Sequence, residues 1–276
     1  MKTLLTFLLI ISFCKYSFSQ SSSIQLRSFS DKSQLKEAEG ANAEEPFALE
    51  DLPTFGLYGI GNVNTEAFES LNSSGKLSGY IRPYKGPKSF ATFNFAFNVN
   101  ASNVADSNLV NTFIFPDVGN TSFYANIDWS FRVGTKGAHD NYFISPFFEF
   151  ANKAIRAKDT SLIFTTLSYT LGAKLQYMFV DDKDYISMAI MPFISFTNVP
   201  NEDNDAYRYL IAGDKNSTLS SSLTSFGVKV AFMYNNFQIF ADLRSVKGNE
   251  SKVPVQELRG FGSNIGVIFN AEVFEK

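Results

Sequence analysis

Residues 167–179, LSYTLGAKLQYMF, decide how the rest of the chain is read. Leu167, Tyr169, Leu171, Ala173, Leu175, Tyr177 and Phe179 alternate with Ser168, Thr170, Gly172, Lys174, Gln176 and Met178. A period of two places these sets on opposite faces of a strand. One face is greasy and the other small or polar. The stretch leaves one question open: whether the greasy face meets a protein core or lipid.

The same alternation recurs on both sides. Upstream, Leu77 and Ile81 oppose Tyr80, Arg82 and Tyr84. Phe93, Phe95 and Phe97 oppose Thr92, Asn94 and Ala96. Ile127, Trp129 and Phe131 oppose Asn126, Asp128, Ser130 and Arg132. Tyr142, Ile144, Pro146 and Phe148 oppose Phe143, Ser145, Phe147 and Glu149. Downstream, Met188, Ile190 and Ile194 oppose Ser187, Met191 and Ser195. Val228, Val230 and Phe232 oppose Gly227, Lys229 and Ala231; Ile239 and Leu243 oppose Asp242 and Arg244. Ile265, Val267, Phe269, Ala271 and Val273 form the last greasy row, with Glu272 opposite. With a poorly patterned run at Phe55–Gly59, ten strands are expected. Many reach ten residues or more. Soluble strands average about five or six residues, whereas strands that cross a bilayer at a tilt need about nine to eleven.

Connections alternate in length. Short turns are expected at 85–88, 134–140, 180–184 and 235–236, where Asn235-Asn236 suits a positive-φ hairpin. Long connections are expected at 64–74, 100–120, 152–160, 198–221 and 247–257. Short turns at one end and long loops at the other are the habit of outer-membrane barrels. An even strand number places both chain ends on the short-turn side. Almost no charge falls on the greasy rows, so lipid outside and a polar lumen inside fit best. Without a helical span, closure of the sheet is needed to satisfy the backbone in hydrocarbon. Pro146 and Pro192, in a repeated Ile-x-Pro-Phe, imply a bulge or bend, since proline cannot donate to the ladder.

The ends of the chain fit export. Residues 1–19 carry Lys2, an apolar run Leu4–Phe13 and a small-x-small site Ser17-Phe18-Ser19, the pattern of a secretory signal. That apolar run is too short to span a bilayer, which takes about twenty residues. Cys14, the only cysteine, lies inside it and follows Phe13 rather than the small residue of a lipobox. The mature chain therefore has no thiol for a disulfide or a cysteine metal site. Residues 20–53 are polar and turn acidic at Glu44-Glu45, a composition that predicts a flexible periplasmic arm. Residues 54–276 would form the barrel. With 24 basic and 27 acidic residues and no basic run, the balance points away from nucleic acid.

Architecture, rather than a specific motif, gives the chain its likeness. Residues 54–274 resemble the Gram-negative outer-membrane β-barrel class: all-β, antiparallel, up-and-down, transmembrane, with about ten strands and a flexible N-terminal arm. The last strand resembles the C-terminal signal read by the outer-membrane assembly machinery. It departs in that Phe274 falls one residue out of phase and Glu275-Lys276 follow. The resemblance implies a location in the cell outer membrane, among outer-membrane lipid and lipopolysaccharide.

Candidate sites are few. His139, the only histidine, falls with Asp140 in an expected turn and reads as a solvated residue. Outer-membrane hydrolases place a histidine near the outer rim, so the chain departs from them, and no cofactor or zinc site is expected. Asn201–Asp205 gathers oxygen ligands that could suit calcium, but a solvated loop is the simpler reading. The expected lumen carries Arg82, Asp128, Arg132, Glu149, Lys174, Lys229, Asp242 and Arg244. These could line a conducting path or pair into a plug. Ten strands leave a lumen only a little wider than the eight that side chains fill. Unpaired charges there would be costly, which favours the plug. The expectation is a non-enzymatic surface-interaction or envelope-integrity protein; the alternative is a small selective channel or transporter.

Overall fold

The computed structural model describes residues 48–62, 75–98, 123–136, 140–156, 162–180, 185–235, 237–247 and 260–275. The expected signal, most of the expected arm, His139 and the loops 64–74 and 100–120 lie outside the described residues.

The alternating runs become ten strands: β1 (Phe55–Asn62), β2 (Gly75–Lys85), β3 (Ser89–Asn98), β4 (Phe123–Lys136), β5 (Asp140–Arg156), β6 (Ile163–Val180), β7 (Tyr185–Asn198), β8 (Ser222–Tyr234), β9 (Phe237–Lys247) and β10 (Gly260–Glu275). They form one antiparallel up-and-down sheet with little helix. Each strand pairs with its neighbours in sequence, and β1 pairs with both β2 and β10, so the ladder returns on itself. Among the described residues no helix is long and apolar enough to cross a membrane.

The two faces separate as the alternation requires. Trp129 and Leu171 lie on the outer face at 45% and 49% exposure, while Lys229 and Arg244 on the inner face are 1% and 2% exposed. Outer rings touch one another along and across strands. Trp129 stacks on Phe131 with centroids 6.1 Å apart, and Tyr142 meets Tyr177 at 5.3 Å. Phe97, Phe123, Phe150 and Tyr169 make a chain of ring contacts across β3, β4, β5 and β6.

Three features of the ladder differ from expectation. Tyr84 stands on the outer face against Trp129, at 5.5 Å, rather than on the polar face. The β2–β3 register shifts between Ile81 and Tyr84, and that extra residue reverses the alternation. Pro146 and Pro192 cause no bulge. The β4–β5 pairing skips from Asp128↔Phe147 to Phe131↔Ile144, and β6–β7 from Gly172↔Phe193 to Leu175↔Ile190, each resuming in the same register. In the first gap a side-chain bond spans the strands, Ser145 Oγ to Ser130 Oγ at 2.7 Å. Third, β5 runs on to Arg156, through the first half of the expected 152–160 loop, and pairs there with β6 out to Arg156↔Ile163. Asn235 does adopt φ 51, as a tight hairpin requires.

At the C-terminus, the β1–β10 register shifts between Leu57 and Tyr58. Tyr58 stands opposite Glu272 but Leu57 stands opposite Phe274. The out-of-phase aromatic is thus returned to the register position of the greasy row by one bulge.

Two segments outside the ladder close on the sheet. The expected flexible arm ends instead in a docked piece: a 3-10 turn, Leu49–Asp51, with Leu49 and Leu52 fully buried. The β7–β8 connection, expected as a solvated loop, folds as a 3-10 turn (Asn201–Asp203) and helix α1 (Asn204–Ala212). Gly213, at φ 74, ends the helix in the left-handed conformation that glycine takes without steric cost.

Candidate functional site

The inner face of the sheet is filled in three layers. At the turn end, Leu49 and Leu52 join Phe90, Phe143, Met178 and Met233 in an apolar cluster. At the loop end, Tyr207 of α1 joins Ile155, Phe164, Leu223 and Val246, with Leu210 and Ile211 packed alongside. Phe164 and Tyr207 meet edge to face at 5.4 Å. Charged and amide groups lie between the two ends, among the Phe147, Met191 and Phe193 side chains that continue the first cluster.

The middle layer is built from pairs. Lys229 Nζ donates to Glu149 Oε2 at 3.0 Å, and Tyr124 donates to the other oxygen at 3.2 Å. Asp242 accepts from Arg244 through Nε at 3.1 Å and through Nη2. Asp128 lies 3.7 Å from Lys174 and accepts from Ser130 at 3.1 Å and Asn94 at 3.4 Å. Asn94 also donates to Asn126 at 3.1 Å. The Phe193 ring lies between two of the cations, 4.9 Å from the Arg244 guanidinium carbon and 5.3 Å from Lys229 Nζ.

Two glycines make room for this filling. Gly227 stands in register between Phe193 on β7 and Arg244 on β9. A Cβ there would meet the Leu243 carbonyl and the Arg244 backbone. Gly172 stands opposite Phe147, whose ring lies where a Cβ would be, with the Pro192 carbonyl equally close.

Six of the eight expected lumen residues meet in these pairs: Asp128, Glu149, Lys174, Lys229, Asp242 and Arg244. Arg82 and Arg132 instead serve the turn end. Arg82 stacks on Tyr80 at 4.1 Å and donates to the Pro53 carbonyl. Arg132 faces the Phe143 ring at 5.9 Å, within electrostatic reach of Glu50. Asp128 and Arg132 share a face, but the ion pair at Asp128 is with Lys174. Lys153, also fully buried, escapes the sequence reading because the alternation Phe147, Glu149, Ala151, Lys153, Ile155 runs on past the expected strand end at Phe150.

The chemistry of this arrangement is mutual neutralisation. Each of the three carboxylates faces a cation, and two of them also accept from neutral donors. Such groups hold one another in place. Among the described residues no three His, Cys, Asp or Glu side chains gather as metal ligands. At the loop end, Asp203 accepts from the Thr165 backbone N–H at 2.7 Å, so that carboxylate ties the helix to β6. Compared with family models, with curated proteins and with solved structures, the chain finds no match.

Proposed function

We propose that the chain is an integral outer-membrane β-barrel with a filled polar lumen, serving surface interaction or envelope integrity rather than catalysis or conduction. One observation carries this reading: the outer face is apolar on strand after strand, while the charges turn inward. A soluble closed sheet would reverse that order. Exposed Trp129, Phe131, Leu171, Leu175, Ile190 and Phe226 would each meet water in a soluble protein. In acyl chains they need no partner, and a closed ladder pairs the backbone there apart from the short gaps beside Pro146 and Pro192. The tyrosines near the turns, Tyr142, Tyr177 and Tyr234, suit an interfacial belt.

The N-terminal signal pattern would deliver the chain across the inner membrane, and the assembly machinery would insert it among outer-membrane lipid and lipopolysaccharide. Apolar seals at both ends and paired charges between them oppose a permanent pore.

Envelope fractionation with gel mobility before and after boiling tests the membrane part. The expected outcome is recovery with the outer membrane, resistance to cold detergent and a shift on heating. Release into the soluble fraction without detergent would overturn it. Planar bilayers test the lumen: steady current through the purified full-length protein would replace the filled barrel with a channel.

A further inference from the structure

Residues 48–53 occupy the inside of the sheet without belonging to its ladder. The ladder begins two residues later, with Phe55 opposite Ile81 and Gly56 opposite Glu275. The segment's own turn is closed internally, Leu52 N–H to the Leu49 carbonyl at 3.3 Å. Its side chains nevertheless reach the core: Leu49 and Leu52 pack with Phe90, Phe143, Met178 and Met233. The barrel also grips its main chain. Lys85 Nζ donates to the Leu52 carbonyl at 2.6 Å, and Arg82 donates to that of Pro53. Glu50 and Asp51, between the two leucines, stay exposed.

We propose that residues 48–53 are a detachable plug, seated in the turn-end mouth by Leu49 and Leu52 and able to leave while the sheet stays closed. Ten paired strands complete the ring without it. What seats it is two apolar side chains and two charge-assisted clasps. What opposes it is the ordering of a six-residue stretch. These terms are of similar size. Opening of such a segment is therefore far easier than opening of the strands around it. Its departure uncovers an apolar socket of rings and thioethers rimmed by Arg82 and Lys85.

The test is thiol labelling of the full-length chain carrying Cys14→Ser and one new cysteine, with strand content followed by circular dichroism throughout. Pro53→Cys reports the plug: position 53 is buried, and the change keeps Leu49, Leu52 and the carbonyl that Arg82 holds. Ser195→Cys, at an inward position buried in the ladder of β7, reports opening of the sheet. The expected result is that position 53 reacts with a maleimide at least about tenfold faster than position 195, with strand content unchanged. Adding Lys85→Met, which removes the clasp on the Leu52 carbonyl, speeds labelling at 53 further and leaves 195 unaffected. Equal rates at 53 and 195, or labelling at 53 only as strand content falls, would show the segment to be a fixed part of the core and overturn the proposal. This readout does not depend on whether the outer face meets lipid.

Discussion

The two faces of β6 hold the same backbone to opposite chemistry. Outward, Leu171 and Leu175 are half exposed and make no polar contact. Inward, Thr170 donates to Ser195 at 2.9 Å, Lys174 approaches Asp128 at 3.7 Å and Gln176 donates to Ser187 at 2.8 Å. The inner face is specific, because each of these groups has a named partner on the next strand or the next but one. The outer face is generic: in the proposed membrane setting it asks only that its surroundings be apolar. Substitutions inside should therefore be costly in any solvent, whereas those outside should be costly only where lipid is present.

The largest effect is expected inside. Asp242→Ala leaves the buried Arg244 guanidinium without its carboxylate and should cost roughly 3–5 kcal/mol of unfolding free energy. The double change Asp242→Leu with Arg244→Met removes both charges and should recover most of that loss. Denaturant unfolding of the single and double variants measures both. A single variant as stable as the parent would mean that the pair does not hold the middle layer together.

Leu171→Arg probes the outer face at the centre of β6. In a bilayer it should cost about 2–4 kcal/mol, as charges on the lipid face near the midplane do. In short-chain detergent, where the bilayer is absent, the same change should cost far less. Equal and small penalties in both media would remove the lipid from the outer face. Gly172→Ala sits one residue along and faces inward. Its Cβ would collide with the Phe147 ring and the Pro192 carbonyl, an overpacking worth about 1–3 kcal/mol in lipid and detergent alike. Phe147→Ala in the same chain should relieve the ring contact but not the carbonyl contact. Full recovery in the double variant would show that only the ring matters.

Much of this comparison is visible in the sequence, for a physical reason. Alternation is a property of one strand and needs no partner, so Leu171 and Lys174 are assigned their faces by counting. What counting misses are one-residue shifts. The bulge between Ile81 and Tyr84 moves Tyr84 outward, and the one opposite Leu57 realigns Phe274. Each is set by how two strands register, which neither strand records alone. Pairing is hidden for the same reason. Asp128 meets Lys174 rather than Arg132 because the registers of β4, β5 and β6 bring Lys174 close to the line of Asp128, within reach over the single intervening strand. The plug and helix α1 are missed differently. Leu49 and Leu52 stand at the end of a polar stretch, and Tyr207, Leu210 and Ile211 in a run otherwise rich in carboxylates and amides. Composition averages over such residues, although a spacing of three and four is the signal that marks one face of a turn or helix.

The smallest effect is expected at the loop end, where α1 seals the lumen from outside the ladder. Tyr207 is fully buried there and donates to the Ser220 carbonyl at 2.9 Å. Tyr207→Phe keeps the ring against Phe164 and loses only that bond, for about 0.5–1.5 kcal/mol. Because the helix carries none of the sheet's ladder bonds, the loss should be local. Amide exchange should quicken across Asn204–Ala212 while the strands keep their protection. Burial also holds the Tyr207 hydroxyl well above the usual tyrosine range. The folded cap thus favours the neutral phenol. Its contribution is complete below the unfolded value near 10 and is lost as pH rises above it. Helix exchange in the parent should accelerate from about pH 10 upward, beyond the intrinsic rise with base, and Tyr207→Phe should lack that extra step. If both proteins show the same step, the hydroxyl is not the group that titrates, and the seal at the loop end rests on the ring alone.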